Sequence, residues 1–238
     1  MIVLIKNSVY VRINKYNSVV YSYGIKFKDF SNGLGIVKCY LILAGSPNEC
    51  HFNYKLNLEY VTKEQSHSLV SQDVNAFGDF CWVDFDNEAQ LDLVTSEELA
   101  KLLFMSHTKK PLDTFKFESL MNEYAYLSHD DGTWNNTYMR NIFQYKNILK
   151  YKVTKELKEL GKENNIDNTL FDKLYEMCFD GLLIDFDDIK SNEINLYVLN
   201  NINTVDDLEN GLIASRRNDC NKKLKYFTKE KIWRISDS

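Results

Sequence analysis

The sequence predicts an α+β fold, with an N-terminal antiparallel β-meander of four to five strands followed by mixed helices and β-hairpins. Three observations predict it. Apolar residues alternate with period two through four successive segments of the first 60 residues, as half-buried strands require. Later segments change to steps of three and four, the spacing of amphipathic helices. The 15 tyrosines and 14 phenylalanines add to the strand bias, because aromatic residues fit a pleated surface.

The first strand is read at Val9, Val11 and Ile13, and Asn14 to Asn17 supply a turn. Tyr21, Tyr23, Ile25 and Phe27 alternate next. Asp29 to Gly35 reads as a loop, since Asp, Ser, Asn and two glycines punctuate it. Val37, Cys39, Leu41 and Leu43 make a third strand, and Tyr54, Leu56, Leu58 and Tyr60 a fourth. Phe80 to Phe85 is a further strand that presents Cys81, Val83 and Phe85 on one side and Phe80, Trp82 and Asp84 on the other.

Thr95-Ser-Glu-Glu98 matches a capping box and opens a helix over about 96–107. Tyr124 to Leu127 reads as a strand. From Trp134 a stripe through Tyr138, Ile142, Tyr145, Leu149, Val153, Leu157 and Leu160 predicts one helix of about 25 residues, stopped by Gly161. A second helix is expected over 169–179. Leu182 to Phe186 and Ile194 to Leu199 form a hairpin with a polar loop over 187–193. Thr204 caps a helix to Ala214, and 224–235 holds a last strand or two short ones. The 238 residues are read as a single domain, with a subdivision into 1–65 and 75–238 as the alternative.

Composition narrows the class. The five cysteines are scattered and never spaced C-x-x-C, which argues against a disulfide framework or a cysteine zinc site. No stretch has the roughly 18 apolar residues that cross a bilayer, so a cytoplasmic location with reduced thiols and no membrane partner is expected. There is no G-x-G-x-x-G, G-x-x-x-x-G-K-[ST] or G-x-S-x-G, so no nucleotide or dinucleotide cofactor is expected. The net charge of −5 disfavours nonspecific nucleic-acid binding. Charge is segregated, however. Asp167 to Glu209 holds eleven acidic residues against two lysines, and Arg216 to Arg234 holds eight basic residues against two acidic ones. The basic segment interleaves cations with aromatics, as single-strand nucleic-acid binders do, but pairing with its acidic neighbour competes.

Two constellations carry candidate chemistry. His107 at a helix end and His129-Asp130-Asp131 in a turn could share a proton or ligate a divalent metal. The competing reading makes them helix caps. Asp185, Asp187 and Asp188 end a strand, and alternation puts Asp185 and Asp187 on one face about 7 Å apart, a spacing that suits Mg²⁺. Trp82, Asp84 and Trp134 are candidates for lining a binding pocket.

Two functions follow. The first is a non-catalytic cytoplasmic binding or regulatory module of immunity, phage or antagonist type. Its acidic face over about 167–209 would engage a basic protein partner. The second is a small metal-dependent hydrolase or nuclease built on His107, His129, Asp130 and Asp131 or on Asp185, Asp187 and Asp188.

Overall fold

The computed structural model describes residues 7–45, 47, 49–71, 79–129, 133–160, 165–166, 168–190, 192–216 and 222–237. Strand β1 (Val9–Asn14) and strand β2 (Val19–Tyr23) form the expected opening hairpin. The Asn14 side chain accepts the Asn17 amide within the turn.

The segment read as a loop is helix α1 (Phe27–Leu34). Its polar residues have weak helix propensity, but Phe27 and Phe30 lie one turn apart and are both fully buried. Tertiary packing overrides propensity here. Gly35, at φ 67°, ends the helix in the left-handed conformation.

Strand β3 (Cys39–Ala44) is as expected. The fourth alternation is not one strand. Only Leu58 and Tyr60 fall in a strand, β5 (Leu58–Val61), which a turn with Asn57 at φ 55° joins to the preceding β4 (His51–Asn53). Tyr54, expected inside a strand, is exposed in that turn. The meander is interrupted as well, because β3 pairs with β5 while β2 pairs elsewhere.

A short α2 (Ser66–Ser71) precedes β6 (Phe80–Phe85) and a 3₁₀ turn over Glu88–Leu93. Helix α3 (Ser96–Thr108) starts at the predicted capping box, with the Thr95 hydroxyl accepting the Glu98 amide and the Glu98 carboxylate accepting the Thr95 amide. β7 (Tyr124–His129) then forms a hairpin with β8 (Trp134–Met139), His129 standing opposite Trp134.

This corrects the 25-residue helix. Trp134 and Tyr138 are four apart, a step that falls on one face in a strand as well as in a helix. Asn135, Asn136 and Thr137 between them are poor helix formers, and the sheet claims them. The helix is α4 (Tyr145–Glu159), which buries Tyr145, Leu149, Val153 and Leu157 as the stripe requires. Gly161 lies outside the described residues.

The last third holds β9 (Asn165–Ile166), α5 (Asn168–Met177), β10 (Leu182–Lys190), β11 (Glu193–Val198), α6 (Val205–Arg216), β12 (Lys222–Phe227) and β13 (Ile232–Asp237). The Thr204 hydroxyl accepts the Asp207 amide, as expected of the α6 cap. The predicted 187–193 loop is mostly strand, since β10 and β11 pair almost to their turn.

All described strands join one sheet in the order β4-β5-β3-β6-β7-β8-β2-β1-β10-β11-β12-β13-β9, antiparallel except for β13–β9. Strands from before residue 65 and from after residue 79 therefore share hydrogen bonds. One face packs against α1, α2, α4 and α5 through Val9, Val11, Trp82, Tyr126 and Ile184. The opposite face carries two separate cores. One lies under α3 with Val83, Leu102 and Met105, and the other lies under α6 with Tyr10, Leu183, Leu208 and Leu212. Among the described residues no helix is long and apolar enough to cross a membrane.

Candidate functional site

The gap between those two cores is the feature that matters. On the face shared by α3 and α6, Tyr10 and Trp134 belong to the α6 core and Val19 and Tyr138 to the α3 core, and Arg12, Asn14, Tyr21 and Asn136 of the middle strands lie where the two meet. Aliphatic and aromatic side chains fill both flanks, and the middle strands add the polar groups of Arg12, Asn14 and Asn136. The chain that follows helix α3, from Lys110 to Lys116, forms one wall, with Phe115 packed 5.8 Å from Tyr138. A cleft of about 510 Å³ opens there, lined by Tyr16, Tyr21, Lys110, Lys116, Asn136 and Tyr138. Tyr16, at the tip of the β1–β2 turn, is 100% exposed.

Arg12 sits beside this cleft, opposite Tyr21 in the strand register. Its guanidinium lies 4.6 Å from the centre of the Tyr21 ring. One amino group donates to the Asn203 carboxamide at 3.2 Å, and the buried Nε has no acceptor among the described residues. Stacking and one hydrogen bond thus fix a cation in place without neutralising it.

Higher on the same face, the sequence-predicted Asp185 and Asp187 come together. The Ser8 hydroxyl donates to both, at 3.2 and 3.3 Å, so alternation did put them on one side. Asp185 is fully buried, and Arg216 binds it through two donors at 2.8 and 2.7 Å. Asp187 accepts the Asn7 amide. Both oxygens of Asp185 therefore carry guanidinium hydrogen bonds, which leaves that carboxylate poorly placed to hold a metal. Tyr23 lies near this cluster, and burial, then the Glu209 and Asp187 charges, raise its pKa. Trp134 stacks on Tyr10 at 5.8 Å and donates its indole N–H to Asn136. Asp188 lies in β10, and its side chain is outside the described set.

The histidine constellation comes out differently. His107 is exposed in the last turn of α3. The neighbouring Ser106 donates to the Leu43 carbonyl, which anchors that helix end over β3. His129 ends β7, with its side chain outside the described set, and Asp130 and Asp131 lie outside the described residues. Trp134 begins a strand rather than a helix, so there is no helix there for Asp131 or Thr133 to cap. Among the described residues no group of three or more His, Cys, Asp or Glu side chains is placed to hold a metal ion.

Trp82 and Asp84 are core residues rather than pocket walls, because helices cover the face they share. Trp82 is fully buried against Phe27 and Phe80, and its indole donates to the Gly45 carbonyl. Asp84, 0% exposed, accepts the Glu123 and Tyr124 amides, with the Lys38 ammonium 3.7 Å away. Burial raises its pKa to about 6, against the lowering pull of those amides and Lys38.

The acidic segment is not one surface. α5, with Asp172 and Glu176, covers one face of the sheet, while α6, with Asp206, Asp207 and Glu209, covers the other. Part of its charge is paired within the chain: Asp172 with Lys146, Asp185 with Arg216, and Glu193 with Lys223 and Lys225. The same pairs consume part of the basic segment, as does Arg234 with Glu230. Asp167, Arg217 and Asp219 lie outside the described residues.

Arg12, Tyr16, Tyr21, Lys110, Lys116, Asn136 and Tyr138 were not singled out in the sequence. Their signal is faint but present. Arg12 and Asn14 follow Tyr10 on alternate positions of a strand whose opposite face, Val9, Val11 and Ile13, is all aliphatic, and an arginine at mid-strand marks a face that stays partly wet.

No family model matches the chain, and neither a curated protein nor a solved structure does.

Proposed function

We propose that this chain is a non-catalytic binding module that receives a protein partner on the α3/α6 face of its sheet. The observation that carries this reading is the interrupted cover over β8, β2 and β1, which leaves a cleft floored by Tyr21, Asn136 and Tyr138 beside a fixed Arg12. Pockets that combine aromatic walls with a few polar groups are the usual form of binding sites. A broad sheet packed on both flanks gives such a surface a rigid base, so little ordering entropy opposes docking.

The acidic contribution narrows from the whole of 167–209 to the start of α6. Asp206 and Asp207 are exposed there, and Asn203 of the preceding turn touches Arg12. Basic groups of the partner meet these carboxylates. The module is cytoplasmic and works as an immunity-type, phage-encoded or other antagonist does, by occupying its partner's surface.

Capture from the native host tests the reading. The wild type should retain a partner that is reduced severalfold on a Lys110→Glu/Lys116→Glu variant and on an Asp206→Lys variant, and that is weakened by salt. A Lys158→Glu variant on the opposite face should retain it fully. If all four forms capture the same proteins in equal amounts, the proposal fails.

A further inference from the structure

We infer that the segment entering this cleft is acidic, with carboxylates of the partner meeting Arg12, Lys110 and Lys116. This deepens the binding reading above and rests on it.

Many cations of the chain are already held by carboxylates. Lys38 pairs with Asp84 and Asp86, Lys101 with Glu97 and Asp113, and Lys152 with Asp29 and Glu156. Lys155 pairs with Asp29, and Lys223 and Lys225 with Glu193. Scattered lysines such as Lys28 and Lys158 also lack a carboxylate among the described residues, but the cleft gathers such cations in one place. Asp113, the acidic residue in the lining, is already held by Lys101 at 3.3 Å. Among the described residues Arg12, Lys110 and Lys116 have no carboxylate partner. A chain of net charge −5 thus carries a locally positive cleft, which attracts an anion.

Arg12 makes the attraction specific. With Nε buried and one amino group on Asn203, Arg12 offers a carboxylate a fixed positive charge and its outer amino edge. The stack on Tyr21 and the bond to Asn203 fix its plane before any ligand arrives, so less entropy is lost on binding. Lys110 and Lys116 are exposed on the opposing wall and supply mobile point charges.

The cleft that opens between α1 and α4, about 610 Å³, competes for the same anion. Two of its three lining lysines are engaged. Lys155 is tied to Asp29 at 3.0 Å, Lys150 donates to Asn168, and Glu159 shares the lining.

Charge also separates a protein segment from a nucleic acid. Asn203 touches Arg12, and its own amide donates to Asp207, so α6 begins at once with Asp206 and Asp207. A polyanion running out of the cleft would meet those carboxylates. A protein segment with acidic residues in the cleft and basic residues over α6 satisfies both sides.

Fluorescence anisotropy tests this with three labelled probes: a peptide of alternating glutamate and tyrosine, its lysine and tyrosine counterpart, and an oligouridylate of equal length. The acidic peptide should bind saturably, and the other two should not. Affinity should fall about tenfold or more in Lys110→Glu/Lys116→Glu, and again as salt is raised. Arg12→Gln should weaken it similarly, and the surface lysine pair keeps the test sound if Arg12→Gln folds poorly. Binding of the acidic peptide that survives the lysine variant, or no saturation at all, overturns the inference. Tighter binding of the oligouridylate overturns it in favour of a nucleic acid. If the acidic peptide fails while Lys110→Glu/Lys116→Glu still abolishes capture of the host partner, the docking surface stands and the acidic occupant falls.

Discussion

Asp84 should make this protein gain stability as the solution is acidified, and Asp84→Asn should remove that gain. The carboxylate is fully buried at the β6–β7 junction, with Lys38, Asp86 and Glu123 as the charged groups around it and Tyr40 and Tyr124 beside it. Burial raises its pKa from 3.8 to about 6. The folded state then binds the proton more tightly than the unfolded state, so stability falls as pH rises through that window. A difference of about two pKa units amounts to roughly 3 kcal/mol in all. Roughly two-thirds of it falls between pH 4.5 and 7.5, or about 2 kcal/mol. Urea unfolding of wild type and Asp84→Asn across that range isolates the effect, because Glu98 and Glu193, whose pKa values are lowered, act oppositely and equally in both proteins. The wild type should lose about 2 kcal/mol relative to the variant as pH rises. A flat difference, or one of opposite sign, would mean that the two amides and Lys38 outweigh burial, and the reasoning would be refuted.

Other consequences follow from the packing. Gly33→Ala should destabilise by about 1–3 kcal/mol, because an added Cβ would stand 2.5 Å from the Ile148 backbone where α1 crosses α4; an unchanged urea midpoint would contradict that crossing. Arg216→Met leaves Asp185 buried without its cation and should cost about 3 kcal/mol, with Asp185→Asn/Arg216→Met recovering part of it; full stability of the single variant would show the pair to be unimportant. Because guanidinium bonds occupy Asp185, Mg²⁺, Mn²⁺ and Zn²⁺ should leave the thermal midpoint unchanged, and a saturable rise with any of them would revive the hydrolase reading.

What could be read from the chain, and what could not, has a physical pattern. Local codes survived. The Thr95/Glu98 box, the Thr204 cap, and the alternations at β1, β3, β6 and β10 all specify their own backbone without help from distant residues. Elements whose identity depends on a neighbour did not. α1 carries loop-like residues and is helical because Phe27 and Phe30 find a core and Asp29 finds Lys152 and Lys155. Trp134 and Tyr138 fit either period, and pairing with β2 and β7 decided for the strand.

The sites divide in the same way. That Asp185 and Asp187 share a face followed from strand geometry, but the Arg216 that occupies Asp185 lies 31 residues away in sequence. The cleft depends on where the cover by α3 and α6 stops, a property of the sheet order that no local window contains. The acidic segment looked like one surface because sequence distance hides the fact that α5 and α6 lie on opposite faces.

The central claim is that a partner docks over the middle strands between α3 and α6. A photoreactive phenylalanine analogue placed at Tyr16, which is fully exposed at the cleft rim, and separately at Lys158 on the opposite face, tests it in the native host. The account predicts a discrete crosslinked adduct from position 16 that disappears with Lys110→Glu/Lys116→Glu, and none from position 158. Equal adducts from both positions, or an adduct from 158 alone, would contradict it.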